Sequence, residues 1–445
     1  MHPLFTSMFQ GGDDKAIRRA RNEEGKTMTP TTLDKARIRE LEEIGTRSDT
    51  RDVLARVTMQ AKRDYDDYFV VDIDAHVSED HFWGEVIELI DNEYLRDLGQ
   101  SQLRSFAGNN ALLNIVPGLS HQSVGGRITH QGRREPDVPQ GGHPFVVAAQ
   151  RSMDAMGLDY QIVFPSAMLL LGMHPQDEVE VALARAFNRW TVERILPMDE
   201  RLKAFVYLPF NTPEACEKLV AQYAGAKDVI GFTVCSTRNN AIHADCYARL
   251  YAMIEESGRP LAFHSGYHWG DPSFAQLNRF ATMHALSFTH YNQIHVSNWL
   301  FNAMPERFPK LKMLWVESGL AWIPFLMQRL DHEVLMRPSE APGMKRLPSE
   351  YMAEMWYTSQ PMERTNMELL EATMKVMKAE TQLLYSSDWP HWDWDAPSVI
   401  TTLPFLSDQA KRNILGLNAA RLFNLDIKPK KPRADAVLAT RPGRS

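Results

Sequence analysis

The chain has 445 residues and is 44% hydrophobic, which is enough for a large core in two ordinary domains or in one α/β barrel with insertions. Its formal net charge of −7 is modest and indicates no strongly basic surface, so nucleic acid is not an expected partner. No apolar run reaches the roughly 18 residues of a transmembrane helix, so a membrane partner is not expected either.

The two ends of the chain differ in composition from its middle. Residues 1–65 are dense in charge and poor in large apolar side chains, which predicts a charged, partly helical arm that is either solvated or packed on a neighbouring subunit. Residues 428–445 are basic and proline-rich, as in a flexible tail. The N-terminus lacks the pattern of a secretory signal, and the three cysteines have no paired spacing. We therefore expect a cytoplasmic protein with reduced thiols.

Eight apolar, β-rich runs alternate with helical patterns between these ends. The runs cover residues 69–73, 160–164, 203–208, 229–234, 260–264, 311–317, 355–358 and 382–387. Helical spacing of apolar residues is clearest at 177–195 and 213–223. This alternation predicts a distorted parallel (β/α)8 barrel, a TIM barrel of the α/β class, over residues 66–427. Residues 95–142 are too long for a loop, so we expect an insertion after strand 1 that covers the barrel mouth.

Ionisable residues recur at the carboxyl ends of the predicted strands, where (β/α)8 barrels build their sites. Asp74 and His76 end strand 1 and, being two residues apart on a strand, point to the same side. His264 ends strand 5, Glu317 ends strand 6 and Asp388 ends strand 8. Each residue alone is weak evidence, but the set indicates a site for one divalent metal ion. Imidazole and carboxylate ligands without a thiolate favour zinc, with manganese, iron or cobalt as alternatives.

Four segments carry a resemblance to a known family. They are Val71-Asp72-Ile73-Asp74-Ala75-His76-Val77, Phe263-His264-Ser265-Gly266, Tyr385-Ser386-Ser387-Asp388-Trp389-Pro390-His391 and Asn413-Ile414-Leu415-Gly416-Leu417-Asn418-Ala419-Ala420-Arg421-Leu422-Phe423. Together they resemble the amidohydrolase superfamily, in the branch that includes aminocarboxymuconate-semialdehyde decarboxylase and related decarboxylases, hydratases and hydrolases. The resemblance covers about residues 70–425 and implies an enzyme of aromatic compound catabolism on a barrel fold.

The resemblance also implies roles for individual residues. The family's metal ligands on strands 1 and 5 fall on Asp74, His76 and His264, and its strand-8 aspartate, which binds metal and handles protons, falls on Asp388. Two positions depart from the decarboxylase pattern: Asp74 stands where relatives have histidine or glutamate, and Glu317 stands where they often have histidine. We expect Asp388 and Glu317 to be the catalytic groups, and the two departures favour hydrolysis.

The same ligand set is compatible with two reactions. A bound divalent ion lowers the pKa of a water molecule, and Asp388 can take the proton of that water and pass it to a leaving group. The ion can instead bind a phenolate or carboxylate while Asp388 protonates an aromatic carbon and carbon dioxide leaves. The leading expectation is therefore a metal-dependent hydrolase of a small aromatic compound, and the alternative is a non-oxidative decarboxylase of an aromatic or unsaturated carboxylic acid. A non-catalytic barrel that binds a small ligand is the second alternative.

Four side chains near the predicted mouth are candidates for substrate binding. Trp389 and Trp392 follow Asp388 in a loop and could line a pocket for a ring. His391 lies in the same loop, and His295 lies between strands 5 and 6. Packing or surface roles are the alternatives for each. The expected partners are a small-molecule substrate and further copies of this chain, in a homodimer or a larger assembly.

Overall fold

The computed structural model describes residues 50–77, 82–104, 112 and 138–427, which belong to one compact unit. Eight parallel strands form a single sheet in the order β1 to β8, with each strand beside its neighbours in sequence. The strands are β1 Val71–Val77, β2 Tyr160–Pro165, β3 Leu202–Tyr207, β4 Val229–Cys235, β5 Leu261–His264, β6 Met313–Val316, β7 Trp356–Thr358 and β8 Leu383–Leu384. The predicted (β/α)8 barrel is confirmed.

Helices alternate with the strands. They are α1 Thr50–Asp64, α2 Trp83–Ile87, α3 Glu93–Arg104, α4 Pro144–Met156, α5 Asp177–Arg189, α6 Pro213–Tyr223, α7 Ala248–Ser257, α8 Phe280–Phe301, α9 Met304–Arg307, α10 Trp322–Met336, α11 Pro348–Met352, α12 Met367–Val376, α13 Ala379–Gln382, α14 Ser398–Thr401, α15 Asp408–Arg412 and α16 Asn418–Phe423. A π-helical turn at Trp190–Ile195 extends α5, so the helical pattern predicted at 177–195 is present in two parts. Within the described ranges, no helix is long and apolar enough to span a bilayer.

The barrel closes between β8 and β1 through the segment that follows β8. The backbone N–H of Asp388 donates to the carbonyl of Asp74 at 2.7 Å, and that of His76 donates to the carbonyl of Trp389 at 2.6 Å. β8 is therefore much shorter than the predicted run 382–387, because the chain leaves the ladder with β7 and pairs with β1 instead. As a consequence, backbone hydrogen bonds hold Asp388 beside Asp74 and His76.

The barrel interior is filled by apolar side chains that alternate along the strands with outward-facing ones. Phe164 on β2 stacks on Phe205 of β3 with ring centroids 4.8 Å apart. Phe164 also meets the ring of His264 edge-on, with centroids 4.7 Å apart. This layer forms a packed floor under the carboxyl ends of the strands, so polar groups above it are held against a closely packed base.

Helix α1 lies in the part of the chain that we assigned to the charged arm. Its Leu54, Val57 and Ala61 are buried, and the helix packs against α4, so residues 50–64 are part of the barrel unit. The rest of the arm and the tail at 428–445 lie outside the described residues and stay predictions. Of the insertion at 95–142, the structure describes most of α3, residue 112 and residues 138–142, and a covering role over the mouth also stays a prediction.

Candidate metal centre

Four buried side chains converge at the carboxyl end of the barrel: Asp74 and His76 from β1, His264 from β5, and Glu317 directly after β6. Each offers one potential ligand atom, and these atoms lie within 4.8 Å of one another. Asp74 Oδ1 lies 3.2 Å from His76 Nε2 and 3.1 Å from His264 Nε2. Glu317 Oε2 lies 3.7 Å from His264 Nδ1. The structure therefore brings these strand-end residues together, as the sequence predicts.

Asp388 joins this cluster through His76. Its Oδ1 lies 3.2 Å from His76 Nε2 and 2.6 Å from His391 Nδ1. The rings of His76 and His391 are tilted by 35° to each other with centroids 4.2 Å apart, and His391 Nε2 is 3.1 Å from the hydroxyl of Ser166. His391 is thus in direct contact with the strand-8 aspartate, so of the four candidate substrate residues it is the one that the structure brings into the cluster.

The donor atoms of the cluster suit a divalent ion. Asp74 Oδ2 and His76 Nε2 are buried and make no hydrogen bond, although both are polar. The other ring nitrogens are already used: His76 Nδ1 donates to the carbonyl of Pro165 at 3.0 Å, and His264 Nδ1 donates to that of Ser265 at 2.9 Å. Carbonyls of this kind fix the orientation of a ligating histidine, so that Nε2 is the atom available to an ion once it has lost its proton. Both Nε2 atoms lie beside Asp74, so the residues fit a metal ion there.

The electrostatics of the cluster show an excess of buried negative charge. Burial raises the pKa of Asp74, but the contacts with His264 and His76 outweigh it and hold that pKa below its usual range. Burial lowers the pKa of His76, but its contacts with Asp388 and Asp74 outweigh this and raise the pKa to about 10. Burial, together with repulsion from Asp388 and Asp74, raises the pKa of Glu317 well above its ordinary value. A cation at this position would relieve that repulsion.

Two of the acidic residues have left-handed backbone conformations. Glu317 has a φ of +53° and Asp388 a φ of +60°, a region that residues other than glycine rarely adopt. Each such residue costs on the order of 1–3 kcal/mol and persists where the surrounding structure imposes it, often at functional sites. The sequence carries no signal for this backbone strain. Glu317 comes directly after β6 and Asp388 four residues after β8, at points where the chain turns.

Two further residues position the cluster and are absent from the sequence-based candidates. Asp72 on β1 accepts hydrogen bonds from the Ser387 backbone N–H at 2.8 Å and from its hydroxyl at 2.6 Å. Gln360, after β7, donates from Nε2 to Asp388 Oδ2 at 3.3 Å. Simple strand alternation would place Asp72 on the same side as Asp74, but the strand register shifts between Asp72 and Ala75, and Asp72 instead bonds the outward-facing Gln161. Gln360 gives no such signal, since no pattern in the sequence marks it.

His295 does not lie at the metal cluster, and its role in substrate binding stays a prediction. Its Nε2 donates to the backbone carbonyl of Ser236 at 2.7 Å, and its ring packs on Phe263 with centroids 5.5 Å apart. Phe263 precedes the inward-pointing His264 on β5 and therefore faces the outside of the barrel. Helix α8 packs on that outer face, so its buried histidine contacts the back of the strand.

The two tryptophans of the β8 loop are in different surroundings. Trp389 is buried, and its ring meets Trp394 edge-on with centroids 5.0 Å apart, which is a packing contact. Trp392 is half-buried and lies 5.5 Å from His284 and 6.1 Å from Phe280, measured between ring centroids. A role for either ring in substrate binding stays a prediction, and the exposed part of Trp392 makes it the better candidate.

Metal affinity should rise with pH across the neutral range. Because Asp388 and Asp74 keep His76 protonated up to a pKa of about 10, an ion that takes His76 Nε2 must displace a proton below that pH. The apparent affinity for Mn²⁺ should then increase about tenfold per pH unit between roughly pH 6.5 and 9. Titration of chelator-treated protein with Mn²⁺ in buffers of different ionisation enthalpy measures the protons released. Binding without proton release would contradict this account of His76.

Comparison with known proteins gives one family and several relatives. A protein-family model described as amidohydrolase matches residues 134–425. A γ-resorcylate decarboxylase from Rhizobium sp. (strain MTP-10005) is 22% identical over 297 residues, which cover 62% of this chain and 85% of the relative. The match spans most of the length of this relative. The name describes the reaction that the relative catalyses.

Solved structures share the fold. A 5-carboxyvanillate decarboxylase from Sphingomonas paucimobilis superposes with a TM-score of 0.60 at 20% identity, covering 81% of this chain and 100% of the other. A dihydroxybenzoic acid decarboxylase from Polaromonas sp. JS666, solved with bound manganese and the inhibitor 2-nitroresorcinol, gives a TM-score of 0.55 at 17% identity, covering 80% and 97%. At these identities the likeness is one of fold.

Proposed function

The chain belongs to the amidohydrolase family, and we propose that it is a divalent-metal-dependent decarboxylase of an aromatic carboxylic acid. The observation that carries the proposal is that relatives found by sequence and by structure are decarboxylases of hydroxylated aromatic acids, while this chain keeps a cluster of imidazoles and carboxylates at the same end of the barrel. The sequence led us to favour hydrolysis, and the relatives support the alternative better. The residues Asp74 and Glu317 that suggested hydrolysis alter the charge of the site and do not discriminate between the reactions.

Asp388 is the proposed proton donor. In the reaction, the bond between the ring carbon and its carboxylate breaks, carbon dioxide leaves, and the electron pair stays on the ring carbon, which takes a proton. The proton is supplied by the pair that Asp388 forms with His391, whose Nδ1 lies 2.6 Å from Asp388 Oδ1. Gln360 and the strained backbone hold the carboxylate in one orientation, which favours transfer to a fixed position on the ring.

The proposed metal ligands are Asp74, His76 and His264. A divalent ion there would supply positive charge that holds the carboxylate and a neighbouring phenolic oxygen of the substrate. Our expectation that zinc is the favoured ion has no support, and manganese is the better candidate, since a structural relative binds it and carboxylate-containing sites suit it. Glu317, whose Oε2 lies 3.7 Å from His264 Nδ1, would orient a substrate oxygen beside the ion.

A paired panel of substrates tests the proposed reaction. Benzoic acids with a hydroxyl group beside the carboxylate are incubated with the Mn²⁺-loaded protein, in parallel with the methyl ester and the amide of each acid. We expect carbon dioxide and the corresponding phenol from at least one free acid, and no reaction of the esters and amides. Chelator-treated protein is the control and should be inactive. Release of methanol or ammonia without carbon dioxide would identify a hydrolase and overturn the proposal.

A further inference from the structure

Asn292 lies fully buried in the middle of helix α8 and makes hydrogen bonds to three serines. Its Oδ1 accepts from the hydroxyl of Ser236 at 2.6 Å. Its Nδ2 donates to the hydroxyls of Ser265 at 3.0 Å and Ser318 at 3.1 Å. Ser236 directly follows β4, and Ser265 directly follows β5. Ser318 follows Glu317, the first residue after β6. One amide therefore joins three consecutive loops at the mouth of the barrel.

The orientation of this amide follows from its partners. The Ser265 hydroxyl donates its proton to the backbone carbonyl of Phe288 at 2.7 Å, so it can only accept from Asn292. The nitrogen of the amide must then face Ser265, and the oxygen must face Ser236. Both N–H groups and the carbonyl of the side chain are satisfied inside the protein, as expected of a polar group that serves to fix structure.

The loops that Asn292 joins carry two members of the metal cluster. Ser265 follows His264, and Ser318 follows Glu317, which has the left-handed backbone described above. The backbone N–H of Ser236 also donates to the carbonyl of His264 at 2.8 Å. His295 lies one helical turn after Asn292, and its bond to the Ser236 carbonyl fixes the same loop from the same helix face. Helix α8 therefore holds the backbone next to both cluster residues.

We propose that Asn292 is a positioning residue that sets the placement of His264 and Glu317 and thereby the metal affinity of the site. The inference rests on the proposed metal centre. His264 and Glu317 come from neighbouring strands, and their side-chain atoms approach to 3.7 Å only when both loops keep their positions. Loss of the Asn292 bonds removes one connection of helix α8 to each loop and leaves the buried hydroxyls of Ser236 and Ser318 without these bonds, whereas Ser265 keeps its bond to the Phe288 carbonyl. Partners outside the ligand set typically change metal affinity by about 10–100-fold when removed.

The chain offers a matched control in Asn188. This asparagine is also buried in a helix, α5, and its side chain exchanges two hydrogen bonds of 2.9 Å with the backbone of Tyr207 on β3. Among the residues that the structure describes, no member of the metal cluster lies on β3. Asn188→Ala and Asn292→Ala therefore remove the same kind of buried amide, but only the second change acts next to the cluster.

The test compares Mn²⁺ binding by the two variants with that of the unchanged full-length protein. Free Mn²⁺ is followed by electron paramagnetic resonance during titration, and melting temperatures are recorded in chelator. We expect both variants to melt at lower temperature, and only Asn292→Ala to bind Mn²⁺ about 10–100-fold more weakly. Equal Mn²⁺ affinity of the two variants would overturn the inference.

Two further outcomes are separable. If Asn292→Ala does not fold, Ser265→Ala and Ser318→Ala each remove one of its bonds, and both should weaken Mn²⁺ binding relative to Asn188→Ala. Unchanged binding in both serine variants would overturn the inference. If the unchanged protein itself binds no Mn²⁺, the proposed metal-dependent function fails, and the inference fails with it. If it binds Mn²⁺ and all variants bind alike, only the role of Asn292 is lost.

Discussion

Asp388→Asn is expected to reduce kcat by about 10²–10⁴-fold, the usual contribution of a positioned acid or base, while the protein stays folded. The asparagine has the same shape but cannot carry the proton that the Asp388–His391 pair delivers. Its oxygen can still accept from His391 Nδ1. Its new Nδ2 group would face Gln360 Nε2, which also donates to Asp393 Oδ2 at 3.1 Å and is thereby held in its orientation, so a modest fall in melting temperature is expected without unfolding.

The measurement is kcat at saturating Mn²⁺, together with a thermal melt. Asp199→Asn is the control: Asp199 is an ionised aspartate that binds Arg201 just before β3, at the opposite end of the barrel. That variant should keep full kcat. A value of kcat for Asp388→Asn within tenfold of the unchanged protein would remove Asp388 as the proton donor.

His264→Ala is expected to abolish stable metal binding, with an affinity loss larger than the roughly 100-fold upper range for residues outside the ligand set. The change removes an imidazole whose Nε2 lies 3.1 Å from Asp74 Oδ1, and it leaves that buried carboxylate with fewer compensating contacts. The unchanged protein should retain about one metal per chain after dialysis, and the variant far less than that. Elemental analysis by mass spectrometry measures both.

His284→Ala serves as the control for this experiment. His284 is a half-buried histidine at the mouth, with Nε2 3.6 Å from Asp393 Oδ2, and it is outside the groups that could hold an ion. Its removal should leave the metal content unchanged. Full metal content in His264→Ala would contradict the proposed ligand set. Two metals per chain in the unchanged protein would instead indicate that His76, Asp388 and His391 hold a second ion.

The barrel and the positions of the cluster residues were predictable because both depend on strong local patterns. Six of the eight strands begin and end within two residues of the predicted apolar runs, and β1 continues four residues beyond its predicted run. Parallel barrel strands place their carboxyl ends at one face, so Asp74, His76, His264 and Glu317 had to lie near one another. β8 was predicted too long because the pairing of residues 385–389 with β1 is decided by closure of the barrel.

The remaining site features depend on contacts between residues far apart in sequence. Helical spacing places Asn292 and His295 on one face of α8, but it does not show that this face meets the loops after β4, β5 and β6. For the same reason the sequence does not show that His295 packs on Phe263 at the outer face of β5. The preference for hydrolysis rested on two substituted positions, and ligand identity alone does not select between reactions that share one ligand set.

The assembly and location of the protein stay predictions. A homodimer or larger oligomer is expected from the charged arm and the family resemblance, and sedimentation of the full chain would measure its mass. A cytoplasmic location was expected from the cysteines, which are free at Cys216, Cys235 and Cys246.

Reaction of a hydroxylated benzoic acid in D₂O tests the central claim most directly. The Mn²⁺-loaded protein is incubated with the acid, and the product is identified by mass spectrometry and proton NMR, with a sample lacking protein as control for spontaneous ring exchange. The account predicts a phenol that carries one deuterium at the carbon from which carbon dioxide left, delivered through the Asp388–His391 pair. Turnover of the acid without loss of its carboxyl carbon, or a product without deuterium at that position, would contradict it.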